Sequence, residues 1–144
     1  MAAGATRLNR SPGSAAGRRY REEETMTLQS RNLDHPDEVR KFNNGEFGVV
    51  TLPGTIVGRA VFQPDWRWSN DVKPVAGTDS CQAAHTGYII SGRMHVVMDD
   101  GAEADFGPGD AFVISPGHDA WIVGDEPCVA LDWSAAADYA KSAE

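Results

Sequence analysis

A carboxylate, a thiol and an imidazole lie close together in the spacing Asp79-x-Cys81-x3-His85-x6-Gly92. Ionised thiols, imidazoles and carboxylates are the side chains that bind zinc and related metals in proteins. The residue types alone also allow a second interpretation. Cysteine is commonly a small buried apolar residue, and a histidine often only satisfies a local hydrogen bond. The choice between them depends on the elements that position these side chains.

Those elements are predicted to be short strands. Fifteen glycines and eight prolines indicate many turns, and apolar runs recur after Asn43-Asn44-Gly45 with no long helices between them. Asp99-Asp100-Gly101 is a typical hairpin turn. This pattern predicts an all-β sandwich or barrel. The predicted strands include Val49–Thr51, Ile56–Phe62, Tyr88–Ile90, Met94–Met98, Ala102–Phe106, Ala111–Ile114, Ala120–Val123 and Val129–Trp133.

A short helix is predicted on each side of the strands. Over residues 34–42, Asp34 can cap a helix and Pro36 suits its first turn. Ser134 can cap a second, alanine-rich helix, Ala135–Ala143. The predicted organisation is a disordered extension, an arm with the first helix, one β-barrel and a C-terminal helix. Their ranges are 1–25, 26–45, 46–133 and 134–144.

Composition argues against several classes of partner. The 144-residue chain has a net charge of −8, and an acidic domain lacks the clustered Lys and Arg of a nucleic-acid groove. The same acidity argues against docking on an anionic membrane, and no apolar run approaches the roughly 18 residues of a membrane span. We find no signal-peptide core, so a cytoplasmic location is expected. Cys81 and Cys128 do not form a disulfide framework, although a single bridge between them stays open.

Two segments resemble the conserved motifs of the cupin family. They are HTGYIISGRMHVVMDDG, from His85, and FGPGDAFVISPGHDAW, from Phe106. The resemblance covers residues 46–133. It implies a jelly-roll barrel with a ligand pocket inside, and it implies a homodimer, since members of the family are often dimers.

The resemblance also implies where a metal would bind and how this chain departs from the family. His85 falls on the family's glutamate position, Cys81 and Asp79 fall on two histidine positions, and Ala120 replaces the last histidine. A standard site of three histidines and one glutamate therefore cannot form. His118 lies two residues before Ala120, on the same side of a strand.

Cys81, His85 and His118 are therefore expected to converge on a divalent metal ion. A thiolate and two imidazoles suit Zn²⁺, and they can also hold Fe²⁺ or Ni²⁺. Asp79 is the candidate fourth ligand, or else a partner that orients an imidazole.

Aromatic and polar side chains near these positions are candidates for a pocket. Trp66 and Trp68 share a face if they lie on a strand, and Trp121 follows Ala120. All three could equally fill the core. Tyr88, three residues past His85, is a candidate proton donor or part of the barrel wall, and His95 is open between a pocket role and an outer-face role.

Three functions remain open from the sequence. The first is a metal-dependent enzyme of dioxygenase, isomerase, hydrolase or lyase type that acts on a small organic substrate. The second is a non-catalytic domain that senses a metal or a small ligand. The third is a structural barrel without a metal.

Overall fold

A computed structural model of the chain describes residues 27–141. The predicted disordered extension, residues 1–25, and the end of the predicted C-terminal helix lie outside the described residues. Within them the chain forms nine strands and two short helices. Neither of these helices is long and apolar enough to cross a lipid bilayer. The strands are β1 (Glu38–Phe42), β2 (Gly45–Leu52), β3 (Thr55–Phe62), β4 (His85–Ser91), β5 (Arg93–Met98), β6 (Glu103–Phe106), β7 (Ala111–Ile114), β8 (His118–Val123) and β9 (Cys128–Asp132), and the helices are α1 (Trp68–Asp71) and α2 (Lys73–Ala76).

The strands form two antiparallel sheets around one core, which confirms the predicted all-β jelly-roll barrel. One sheet has six strands in the order β1-β2-β3-β9-β4-β7, and the other has three in the order β6-β5-β8. Successive side chains of a strand point to opposite faces, and the inward side chains of both sheets pack into a single buried cluster. The two sheets thereby enclose the interior in which the candidate site lies.

The predicted N-terminal helix is wrong, because its second half is strand β1. Glu38–Phe42 pairs along its whole length with β2. Asn43 and Asn44 make the turn between them, with Asn44 in the left-handed region at φ 62°, a conformation that asparagine tolerates. Pairing with β2 satisfies the backbone of this segment, and this tertiary contact outweighs the capping signals at Asp34 and Pro36. The six-stranded sheet therefore starts before the predicted barrel boundary at residue 46.

The predicted C-terminal helix is also wrong over its described part. From Ala135 the chain makes successive turns, with one helix-like hydrogen bond from the N–H of Tyr139 to the carbonyl of Ala135. The buried Arg40 guanidinium donates to the carbonyls of Ala137 and Tyr139 at 3.2 and 2.7 Å. Ala140 has φ 58°, which a right-handed helix cannot contain. Alanine propensity alone does not stabilise so short a helix.

The two observed helices lie in the long connection between β3 and β4. Arg67, just before α1, is extended and bridges to Trp121 of β8. Gly77 ends α2 in the left-handed conformation. Trp66 and Trp68 belong to this connection, and both indoles are buried in the core.

Candidate metal centre

Three segments bring Cys81, His85 and His118 together at one end of the barrel. Cys81 forms an isolated bridge with His118, and the Cys81 N–H donates to the His118 carbonyl at 2.8 Å. His118 is the first residue of β8, and His85 is the first residue of β4. A turn at Pro116-Gly117, with Gly117 at φ 92°, leads the chain into β8 with the His118 side chain inward. The convergence expected from the sequence is therefore present in the structure.

The three side chains are close enough to share one ion. One ligand atom from each lies within 4.8 Å of the other two. Cys81 Sγ is 3.6 Å from His85 Nε2, and the two imidazole centroids are 5.2 Å apart. All three residues are buried. Among the described residues, Cys81, His85 and His118 are the one group of at least three His, Cys, Asp or Glu side chains placed closely enough to hold a metal ion.

Each imidazole is held by its Nδ1 atom. His85 Nδ1 lies 2.5 Å from Asp132 Oδ2, and His118 Nδ1 donates to the carbonyl oxygen of Ser115 at 2.9 Å. These partners fix the orientation of the rings and leave both Nε2 atoms available. Histidines that bind metals almost always donate their other ring N–H to a carboxylate or a carbonyl in this way.

Asp132 is a functional candidate that the sequence analysis missed. Its other oxygen, Oδ1, accepts hydrogen bonds from the backbone N–H groups of Ser134 and Ala135 at 3.0 and 2.9 Å. The carboxylate is therefore fixed on both sides, between His85 and the start of the C-terminal segment. The alternation Cys128-x-Ala130-x-Asp132 was the available signal, because it puts Asp132 on the inward face of β9.

The surroundings of Cys81 and His85 shift their pKa values toward a thiolate beside an imidazolium. Burial raises the pKa of Cys81, but hydrogen bonds and charge from His118 and His85 outweigh it and lower that pKa to about 6. Burial lowers the pKa of His85, but the hydrogen bonds of Asp132 and Cys81 outweigh it and raise that pKa to about 9. Between these pH values the thiol is ionised, and a thiolate is the form that binds metals.

A pH titration of the metal-free protein checks this state. As the pH rises, we expect the ultraviolet absorbance of one thiolate per chain to appear with a midpoint near pH 6 and to vanish in Cys81→Ser. Cys128 is an internal reference, because burial raises its pKa to about 11. A first midpoint at the ordinary thiol value, near 8.5, would show that the histidines do not stabilise the Cys81 thiolate.

The three side chains open onto a small cavity inside the barrel. Its volume is about 40 Å³, and on this scale one water molecule needs roughly 10–15 Å³. The cavity therefore has room for a few water molecules or one compact organic molecule. Apart from Cys81, His85, His118 and Asp132, its walls are mostly apolar, and they include Trp66, Trp68, Phe62 and Tyr139.

Other predicted site residues lie outside this cavity. Asp79 is exposed and is not part of the three-residue group, so the structure does not bring it to the candidate centre. Tyr88 is 40% exposed on the outer face of β4 and does not line the cavity, so its catalytic role stays a prediction. The aromatic residue with a hydroxyl that lines the cavity is Tyr139, which the sequence analysis did not identify.

His95 and Trp121 lie on the outer face and do not line this cavity. His95 Nδ1 bonds Asp105 at 2.6 Å, and its ring lies 4.7 Å from that of Trp121. Arg67 covers the same indole at 4.3 Å. These contacts stabilise the outside of the three-stranded sheet, where His95 and Trp121 are paired across β5 and β8.

The donor set fits a divalent transition metal. Cys81 Sγ and the Nε2 atoms of His85 and His118 would hold the ion, and thiolates and imidazoles are both common ligands of Zn²⁺. The buried carboxylate of Asp132 fits as the group that orients His85. Softness of the ligands alone does not choose among zinc, iron and nickel.

Comparisons with known proteins agree with the fold. Residues 79–134 match the family described as Cupin domain. No curated protein matches the chain in sequence. Among solved structures, the polyketide cyclase RemF from Streptomyces resistomycificus has a TM-score of 0.53 at 15% identity, over 75% of this chain and 79% of that one.

Two further solved structures are similar over nearly their whole length. KdgF from Halomonas sp. has a TM-score of 0.51 at 18% identity, over 76% of this chain and 94% of that one. An RmlC-like cupin from Shewanella frigidimarina also has a TM-score of 0.51, at 13% identity, over 76% of this chain and 93% of that one. Residues 79–134 therefore match the Cupin domain family, and the barrel shares the fold of these solved structures.

Proposed function

We propose that this protein is a cupin that binds one divalent metal ion through Cys81, His85 and His118 and uses it to bind, and to act on, a small organic molecule. One observation carries the proposal. Both imidazoles are fixed through Nδ1 by a carboxylate or a carbonyl, and their ligand atoms lie within 4.8 Å of each other and of the Cys81 thiol. An arrangement that served only to fill a core would not need both rings oriented toward one thiol.

The number of ligands supports a reactive site over a structural one. Structural zinc sites use four protein ligands, whereas catalytic sites keep three and leave a position for water or substrate. Asp79, the candidate fourth ligand, is exposed and lies outside the group. A bound ion would supply Lewis acidity, or a water of lowered pKa, at the open position.

The protein's own residues would bind and shield the substrate. Burial of the three ligands excludes bulk water, and the apolar walls favour an organic molecule over a free ion. Trp68, Cys81 and Tyr139 also line a groove on the outside of the barrel, between α2 and the C-terminal segment. These three side chains line both the groove and the cavity, and a substrate would enter past them.

The small volume of the cavity favours a second candidate function, metal or redox sensing. A cavity of about 40 Å³ leaves room only for a compact substrate, and a thiolate beside an imidazolium is a reactive group. A sensor would bind the ion without turning over a substrate. The predicted homodimer and the predicted cytoplasmic location stay predictions under either function.

Cobalt titration of the metal-free protein tests the metal site. We expect saturation at one Co²⁺ per chain. The bound ion should show a thiolate-to-cobalt charge-transfer band and the strong visible d–d bands that indicate a low coordination number. Zn²⁺ should displace the cobalt and bleach both bands. Elemental analysis of untagged protein, purified without added metal, gives the identity of the native ion.

The opposite result is equally clear. If Co²⁺, Zn²⁺, Fe²⁺ and Ni²⁺ produce no saturable spectrum, no stoichiometric binding and no change in thermal stability, the metal proposal fails. The chain is then a barrel without a metal, the third function that the sequence leaves open.

A further inference from the structure

Trp66 has a buried indole N–H without a partner in the protein. Within residues 27–141, Nε1 of Trp66 is the one fully buried side-chain nitrogen or oxygen that makes no hydrogen bond. The residue is only 2% exposed and lines the same cavity as Cys81, His85 and His118. An unsatisfied buried donor is destabilising, so such a group calls for a specific explanation.

Trp66 and the candidate metal centre lie toward opposite ends of the cavity. The length of strand β9 gives the distance between the two ends. Asp132, the last residue of β9, hydrogen-bonds to His85, and Cys128, the first residue, pairs with Phe62. The Phe62 ring packs on the Trp66 indole, with centroids 4.2 Å apart. Four residues of strand separate the two ends, which is roughly 13 Å at about 3.3 Å per residue.

Alanines line the space between these two ends. Ala130 lies midway along β9 and pairs directly with Ala60 of β3, and Ala120 lies two residues after His118 on β8. All three alanines are buried and line the cavity. Their methyl groups leave space that larger side chains at these inward positions would fill. Ala120 is also where the cupin resemblance places a metal histidine.

We infer that this alanine-lined space binds a compact organic molecule through an oxygen atom that accepts the hydrogen bond of Trp66 Nε1–H. An indole N–H is a donor and never an acceptor, so the partner atom must be an acceptor. The apolar walls select a carbon-bearing molecule, and the volume limits it to a few non-hydrogen atoms. Small carboxylates and small amides or ketones share this chemistry. The inference rests on the proposed function and extends it, because it defines the class of ligand that would bind beside the metal ion.

NMR of the indole N–H groups tests the inference with two acceptor probes and one control. Propanoate and propanamide carry an oxygen acceptor, charged in the first and neutral in the second, whereas propylammonium carries none. We expect the Trp66 resonance, assigned by its loss in Trp66→Phe, to move to lower field and saturate with at least one acceptor probe and to be unaffected by propylammonium. Whichever acceptor binds more tightly tells a carboxylate ligand from a neutral carbonyl ligand.

Two variants and one matched control complete the test. Trp66→Phe keeps an aromatic ring and removes the donor, so probe affinity should fall about 10-fold. Trp121→Phe, the same change on the outer face, should leave affinity unchanged. Ala130→Val fills the middle of the cavity and should abolish probe binding while cobalt still binds.

Titrations of zinc-loaded and of metal-free protein keep this inference separate from the metal proposal. The metal proposal fails if cobalt does not bind. The Trp66 inference is overturned if no acceptor probe moves the Trp66 resonance in either form, or if Trp66→Phe binds the probe as tightly as the unchanged protein. If Trp66 Nε1–H donates only to a trapped water molecule, no acceptor probe will move its resonance, and the inference is overturned.

Discussion

Cys81→Ser is expected to weaken Zn²⁺ binding by at least about 100-fold. Apparent binding free energies of about 10–16 kcal/mol for zinc sites with four ligands correspond to about 3 kcal/mol per ligand, which is about 100-fold in affinity. Serine occupies the same position but has no ionisable thiol at neutral pH. Cys81 is also the one ligand whose charge offsets that of the ion, so its loss should exceed that of either neutral imidazole. Competition titration with a chromophoric zinc chelator measures the change.

Cys128→Ser is the matched control for this variant. Cys128 is the other cysteine, is free and buried, and lies at the opposite end of β9 from Asp132. A buried serine without a partner lowers the free energy of unfolding by about 1–3 kcal/mol, but zinc affinity should not change. Equal zinc affinities in the two variants would show that Cys81 is a core residue and not a ligand.

Gly87→Ala is expected to destabilise the fold by about 3 kcal/mol or more, at the upper end of what overpacking costs. A Cβ atom on Gly87 would overlap the carbonyl oxygen of Leu131 and lie 2.8 Å from Phe112 Cζ. The carbonyl belongs to β9, which pairs with β3 on one side and β4 on the other, so the backbone cannot give way. A loss of this size is a large part of the roughly 5–15 kcal/mol that stabilises a typical domain.

Urea unfolding followed by fluorescence gives the free energy of unfolding of each variant. Gly48→Ala, in strand β2, is the control, because a Cβ there would lie at 3.5 Å from Pro36 Cβ, an ordinary contact. That change should be neutral or stabilising by up to about 1 kcal/mol, since alanine restricts the unfolded chain. If both variants unfold at the same urea concentration, the close approach of β4 to β9 at Gly87 is wrong.

Local pattern predicted most of the strands but not the segments that tertiary contacts decide. The hairpin at Asp99-Asp100-Gly101 forms as expected, with Gly101 at φ 92°. Residues 34–42 carried real helix-capping signals, yet pairing with β2 made the end of this segment a strand. The C-terminal segment is not helical, because Arg40, about 100 residues away in the sequence, forms hydrogen bonds with its carbonyl groups.

The period of a strand could have settled some of the site assignments. His95 alternates with the buried Met94 and Val96, so the pattern already indicated the outer face. Tyr88 is likewise offset by one from the buried Ile89. Tyr139 gave no such signal, because it lies in a turn whose position depends on a hydrogen bond from the distant Arg40 to the Tyr139 carbonyl.

The sequence by itself determined the all-β class and its turns, because glycine positions and two-residue periodicity are local properties of the chain. The choice of a barrel came from the resemblance to cupin motifs. That resemblance also placed Cys81, His85 and His118 as candidates for one cluster. Only the tertiary structure decided that Asp132 orients His85, that Asp79 is exposed and outside the cluster, and that Trp66 has a buried donor without a partner. Those facts depend on which strands pair and in which register, and register is set by the whole core and not by any one segment.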